Sequence, residues 1–165
     1  MDFEAPWDAR IKLVTGLVLL VLAGVGVALY VSFTAAAESK SALVVLELLL
    51  VAIVVASYAL SPRGYRVEAN AVVIRRPVGS IRIPVDRIRR VERLESEAIK
   101  KAVRTLGNDG LFGLYGRFRN RTLGAFRMYV TDRSKLVLLE ADHLYVLSPD
   151  RPEIFVETVQ ARLRT

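Results

Sequence analysis

The chain has 165 residues, of which 53% are hydrophobic, yet its formal net charge is +7. That length holds one ordinary domain rather than two. It contains no cysteine, which excludes disulfides, thiolate metal ligands and a cysteine nucleophile.

Apolar and charged residues are segregated along the chain. Residues 1–12, MDFEAPWDARIK, carry acids as well as bases. From Leu13 to Ala37 there is no charge at all, and from Ala42 to Leu60 there is only Glu47. The remainder, 61–165, holds 21 of the 24 basic and 12 of the 17 acidic residues, a net +9.

Leu13 to Phe33 would form a helix roughly 30 Å long, the thickness of a bilayer's hydrocarbon core. Ala42 to Leu60 is slightly shorter and still adequate. Eight residues, TAAAESKS, join the two, so the pattern predicts a helical hairpin over 13–60. Two buried core helices of a soluble protein are the alternative, but such helices rarely stay apolar for so long. Ala35-Ala36-Ala37 resembles a signal-peptide cleavage site. The preceding apolar run is too long for a signal sequence, and its flank is not simply basic.

Lysine and arginine near the ends set the expected orientation. Arg10 and Lys12 precede the first span, and Arg63, Arg66, Arg75 and Arg76 follow the second. The link carries only Lys40. Both termini are therefore expected in the cytoplasm, with Trp7 near the interface. Gly24 and Ala28, like Ala52 and Ala56, are four residues apart and suit close helix packing, although such spacing is also ordinary membrane-helix composition. Glu47 is the one charge inside a span. It is a functional candidate by default, or a side chain that snorkels to the nearby interface.

Beyond Leu60 the pattern changes to short strands. Ser61-Pro62-Arg63-Gly64 breaks the helix. Tyr65–Glu68, Val72–Ile74 and Ile81–Val85 read as strands, with a turn at Pro77-Val78-Gly79. Phe126–Thr131, Lys135–Glu140 and His143–Ser148 are three more, and the short links between them favour antiparallel hairpins. Between these groups, Ile88, Val91, Leu94, Ala98, Ala102 and Leu106 recur every three or four residues. Periodicity alone predicts one helix there, capped by Asp86 and stopped by Gly107. At the end, Asp150 as N-cap, Pro152 in the first turn and Glu153 predict a C-terminal amphipathic helix of about fourteen residues.

GLFGLYGRFRNR, residues 110–121, packs three glycines, three aromatics and three arginines into twelve positions. The glycine spacing matches no nucleotide-binding loop, and the aromatic order matches no RNA-binding sheet. As a strand, the stretch would place Arg117, Arg119 and Arg121 on one face and Phe118 on the other. That face is either solvated scaffold or a surface for anionic lipid headgroups, joined by Arg63, Arg66, Arg75 and Arg76. The glycines would make a tight loop, and Phe112, Tyr115 and Phe118 would pack the interior. No catalytic site is legible. His143 is the sole histidine, no nucleophile motif contains Ser134 or Ser148, and Asp132, Glu140 and Asp142 lack metal-ligand spacing.

The segment GNDGLFGLYGRFRNRTLGAFRMYVTDRSKLVLLE, with the closing YVLSPDRPEIFVETV, resembles the bacterial pleckstrin-homology (PH) domain families over roughly Tyr65 to Leu163. The resemblance implies a mainly antiparallel PH-like barrel of about seven strands, closed by the C-terminal helix and following the two-helix transmembrane hairpin. It also implies a strand at Ile88–Glu95, with helix confined to about Ser96–Leu106. The resulting expectation is a bacterial inner-membrane, multi-pass protein with a non-enzymatic PH-like module over 61–165. That module would bind protein partners, with self-association among the possibilities. The alternatives are an anionic-lipid sensor and an accessory subunit of a larger membrane complex. No cofactor, metal or nucleic acid is called for.

Overall fold

The computed structural model describes residues 1–34 and 40–164. The Ala35-Ala36-Ala37 stretch, with most of the link between the two apolar runs, lies outside the described residues.

Two helices, α1 (Ala9–Thr34) and α2 (Lys40–Leu60), pack against each other. Asp8 starts α1: its carboxylate accepts the Ile11 N–H at 2.8 Å, an N-cap that satisfies an otherwise orphaned donor. Leu20 and Tyr30 are 71% and 73% exposed, a surface that water would not favour. Among the described residues one helix, Ala9–Val31 with mean hydropathy 2.5, is long and apolar enough to cross a membrane. Val44–Leu60 is a shorter apolar helical stretch.

Among the described residues ten strands form two sheets. The first runs β1 (Asp2–Glu4), β2 (Gly64–Val67), β3 (Ala71–Arg75) and β4 (Ile81–Pro84), all antiparallel neighbours in that order. The second contains β5 (Arg90–Leu94), β6 (Val103–Asp109), β7 (Leu114–Asn120), β8 (Gly124–Val130), β9 (Leu136–Glu140) and β10 (Leu144–Leu147). Its spatial order is β5-β9-β10-β8-β7-β6. Helix α3 (Pro152–Leu163) closes the fold.

The expected closed barrel of about seven strands is corrected to these two sheets. No ladder joins them among the described residues, and the 3-10 turn Val85–Arg87 carries the chain from one to the other. The core lies between them. Tyr65, Val72 and Ile74 of the first sheet meet Val137, Leu139 and Leu147 of the second, and Phe155 and Val159 of α3 complete the cluster.

Three local expectations also change. The periodic stretch 86–106 is not one helix: β5 falls within the strand expected at Ile88–Glu95 and pairs with β9, and the helical part shrinks to 3-10 turns at Val85–Arg87 and Ser96–Ile99 before β6 begins. The buried positions Ile88 and Val91 serve a sheet, and sheet pairing overrides the helical spacing. The predicted β8–β9 hairpin is replaced by a parallel β8–β10 pair. β10 is almost wholly buried and so takes a central place, while the Ser148 hydroxyl accepts the Thr131 N–H at 2.8 Å and ties the two strand ends. Asp150 does not cap α3, whose N-cap is Arg151. Its carboxylate accepts the Glu4 N–H at 3.1 Å instead.

The N-terminal segment supplies β1, to which the sequence reading assigned no structure. The first turns of α1 join the fold as well. Ile11 is fully buried on the outer face of the second sheet, among Leu114, Phe118, Phe126 and Met128, with Trp7 alongside.

Candidate functional site: the β6–β7 hairpin

The glycine, aromatic and arginine stretch forms the loop and second strand of the β6–β7 hairpin, and three features converge there. The first is its loop. Gly110 N–H bonds Gly113 O at 3.1 Å, and Phe112 between them takes φ 60°, a left-handed conformation uncommon for a bulky residue. The turn pushes the Phe112 ring outward, against Tyr58 of α2 at 5.4 Å and Trp7 at 5.9 Å. Its N–H donates to Thr15 Oγ1 of α1 at 3.1 Å. Tyr115 Oη donates to the Ser57 carbonyl of α2 at 2.7 Å. Phe112 was expected in the interior. It lies instead at the junction, while Tyr115 and Phe118 enter the cores on opposite faces of the sheet.

Further bonds hold the helix ends. Asp8 N–H donates to Thr131 O at 2.9 Å, and Val78 N–H to Ala59 O at 3.0 Å. The Arg63 guanidinium lies over the Tyr58 ring at 4.2 Å and the Trp7 ring at 5.2 Å. The domain is thus bonded to both helices at several points, not strung from them by a linker.

The second feature is the strand edge. β6 ends the second sheet, so among the described residues one side of its backbone has no strand neighbour. Val103 and Leu106 are 67% and 65% exposed along it, and the register shifts between Arg104 and Leu106.

The third feature is charge. Arg117 and Arg119 project from one face of β7, and Arg127 stands opposite Arg117 on β8. No carboxylate among the described residues lies within 4 Å of any of the three. Arg127 rests over the Tyr145 ring at 5.7 Å. With His143 and Thr105 they line a cleft of about 420 Å³. The phenol of Tyr129, two residues further along β8, is raised by burial, partly offset by the positive charges of Arg76, Arg127 and Arg117.

The other predicted arginines are dispersed. β7 ends at Asn120, so Arg121 falls in the turn and shares an adjoining cleft with Arg119, Lys100 and Lys101. Arg66 and Arg75 both face Asp2, at 2.7 and 3.4 Å. Arg76 bonds the Gly79 carbonyl. Arg63 is engaged at the junction.

In the hairpin, Gly24, Ala28, Ala52 and Ala56 are exposed, and a Cβ at Gly24 would meet nothing within 4 Å. The close approach of α1 to α2 falls at Gly26, whose Cβ would come within 3.5 Å of Glu47 Oε1. Glu47 Oε2 is buried without a hydrogen-bond partner among the described residues.

Among the described residues no three His, Cys, Asp or Glu side chains are grouped to hold a metal. Asp142, beside His143, is held below the usual carboxylate range by its hydrogen bond to Arg87. Asp132 accepts bonds from the N–H and hydroxyl of Ser134, a local turn.

Sequence reasoning missed Thr15, Asp8 and Arg127. Asp8 had a legible signal, an Asp just ahead of an apolar run. Thr15 is one of few polar side chains in α1, which marks it only in hindsight. Arg127 needed the β7–β8 register.

A family model described as bacterial PH domain matches residues 63–163. No curated protein and no solved structure matches the chain.

Proposed function

Because the chain belongs to the bacterial PH domain family, we propose that it is a membrane-anchored interaction module that receives a partner strand at β6. α1 and α2 form a transmembrane hairpin in the bacterial inner membrane, both termini are cytoplasmic, and the domain rests at the inner surface without catalysis. The observation that carries the reading is the open edge of β6 with its exposed Val103 and Leu106. Unpaired edge N–H and C=O groups are a template for another strand, and alternate side chains supply specificity. The junction adds support, since it fixes how that edge is presented to a partner.

Photo-crosslinking from positions 103 and 106 in cells tests this, with exposed Val78 as the control site. Adducts from β6 that disappear in a Val103→Lys, Leu106→Lys chain are expected. Equal adducts from position 78 would overturn the edge as the docking place. Alkaline extraction tests the anchor, and release of the chain into the wash would refute it. Digestion of the C-terminus from outside the cell would refute the orientation.

A second reading has its own observation. Arg117, Arg119 and Arg127 have no carboxylate partner among the described residues, and such a cluster attracts anionic headgroups at about 1 kcal/mol per well-placed cation.

A further inference from the structure

A separate cavity of about 370 Å³ lies where the start of α1 meets the outer face of the second sheet. Its floor is apolar: Leu114, Phe118 and Met128 from the strands, Ile99 and Ala102 from the segment before β6. Four cations stand around it, Arg10, Lys100, Lys101 and Arg133, against a single acid, Asp109.

The charges are not equally engaged. Arg133 shares Asp109 at 3.5 Å, and Lys100 has Glu97 at 2.5 Å. No carboxylate among the described residues pairs with Arg10 or Lys101 within 4 Å. Lys101 takes φ 57°, a left-handed conformation that non-glycine residues adopt at a cost. Consecutive residues of an extended strand point to opposite sides, yet Lys100 and Lys101 both line this cavity. Strain is thus kept where it gathers positive charge.

Position adds a further constraint. Arg10 is the second residue of α1, just ahead of its long apolar stretch. In the proposed anchored state, on which this inference rests, the cavity opens at the depth of the lipid phosphates. A cationic rim over an apolar floor at that depth is complementary to a molecule with a phosphate at one end and hydrocarbon beyond it.

We propose that this cavity binds one anionic phospholipid, its phosphate between Arg10 and Lys101 and the start of its hydrocarbon against Ile99, Ala102 and Phe118. A free phosphate shares the headgroup chemistry but gains nothing from the apolar floor, so the two sources can be told apart.

The test uses the full chain in a zwitterionic detergent. The probes are dihexanoyl phosphatidic acid, dihexanoyl phosphatidylcholine and inorganic phosphate. Trp7 is the only tryptophan and packs on the same apolar cluster, so its fluorescence reports binding. Saturable binding of the acidic lipid is expected, weakened roughly tenfold or more in Arg10→Ala, Lys101→Ala. Ala102→Phe, which fills the cavity without changing charge, should weaken it as well, and Arg89→Ala should not. Equal binding of phosphatidylcholine, undiminished binding in both altered cavities, or phosphate competing as well as the lipid would overturn the proposal. An absence of binding to wild type would overturn it too. None of these results bears on anchoring, which the alkaline extraction decides separately.

Discussion

The two sheets treat the same residue type in opposite ways. Each arginine on the strands of the first sheet has an acid: Arg66 and Arg75 share Asp2, and Arg82 faces Glu68 at 2.6 Å. On β7 and β8, Arg117, Arg119 and Arg127 have none among the described residues. All these pairs lie at the surface, where ion pairs add little to stability. What the acids on the first sheet accomplish is neutralisation. Three like charges left together on neighbouring strands repel one another, and no ion pair among the described residues offsets that. Positive charge is therefore left uncompensated by acids on β7 and β8, and an anionic ligand would be sought there.

That contrast depends on the β6–β7 hairpin holding β7 in place, so the largest effect should come from breaking the hairpin. Gly107 and Gly116 are cross-strand partners, each with φ +124°. A Cβ on Gly116 would overlap the Leu106 carbonyl, and one on Gly107 the Tyr115 carbonyl. Gly116→Ala is expected to lower stability by about 3 kcal/mol or more. Gly79→Ala, at a turn with φ +64° where the nearest atom is the Arg76 side chain, should cost about 1 kcal/mol. Thermal unfolding of the detergent-solubilised chain measures both. Similar values would mean that the strands do not cross as closely as described.

The next effect lies where the two sheets are joined. Tyr65 of β2 is fully buried. Its hydroxyl donates to Tyr129 O at 2.6 Å and accepts the Ser148 N–H at 3.1 Å. Tyr65→Phe leaves both partners unsatisfied, at a cost of about 1–3 kcal/mol. Burial pushes the Tyr65 phenol up to about 12, from an ordinary value of 10. The folded state therefore keeps a proton that the unfolded state loses. This stabilisation is complete below pH 10 and fades between about pH 10 and 12, amounting to roughly 2–3 kcal/mol. Alkaline denaturation curves should be steeper for wild type than for Tyr65→Phe. Parallel curves would place the hydroxyl in contact with solvent.

Much of this architecture was legible in the sequence, for reasons that differ by region. The hairpin helices follow from composition alone, because no other structure suits such apolar runs. β2, β3, β4, β8, β9 and β10 follow from short apolar or alternating runs between turn residues. The failures cluster where one signal served two outcomes. Ile88, Val91 and Leu94 carry a helical spacing, yet Val91 and Leu94 pair with Leu139 and Leu136 of β9 as a strand, and Ile88 follows the 3-10 turn before it. Asp150 and Glu153 look like a capping box, but Asp150 bonds Glu4 and Glu153 pairs with Arg93, partners remote in sequence. The basic site was half legible. Alternation along β7 put Arg117 and Arg119 on one face, whereas Asp2 neutralising Arg66 and Arg75 requires β1, which only the tertiary fold provides. β1, Trp7 and Ile11 are part of the packed domain, so a fragment starting at Ser61 would be an incomplete test object.

The full chain in zwitterionic nanodiscs, capturing vesicles, therefore carries the last pair of expectations. Arg117→Ala, Arg119→Ala, Arg127→Ala should weaken capture of anionic vesicles about a hundredfold if three cations each supply about 1 kcal/mol. The equivalent change at Arg66, Arg75 and Arg82 should matter far less, since those charges already face acids. The mildest change is the most discriminating. The hydrogen bond from Arg66 holds the Asp2 carboxyl below its ordinary range, so Asp2 is ionised at neutral pH. Asp2→Asn removes that charge and frees Arg66 and Arg75 while barely altering the fold, because both partners are solvent-exposed. If local charge balance is what separates the two sheets, Asp2→Asn should slightly raise anionic capture, and raised salt should erase the gain. If capture is unchanged, the first-sheet arginines are oriented away from the membrane surface. Position, rather than pairing, would then be what distinguishes them from Arg117, Arg119 and Arg127.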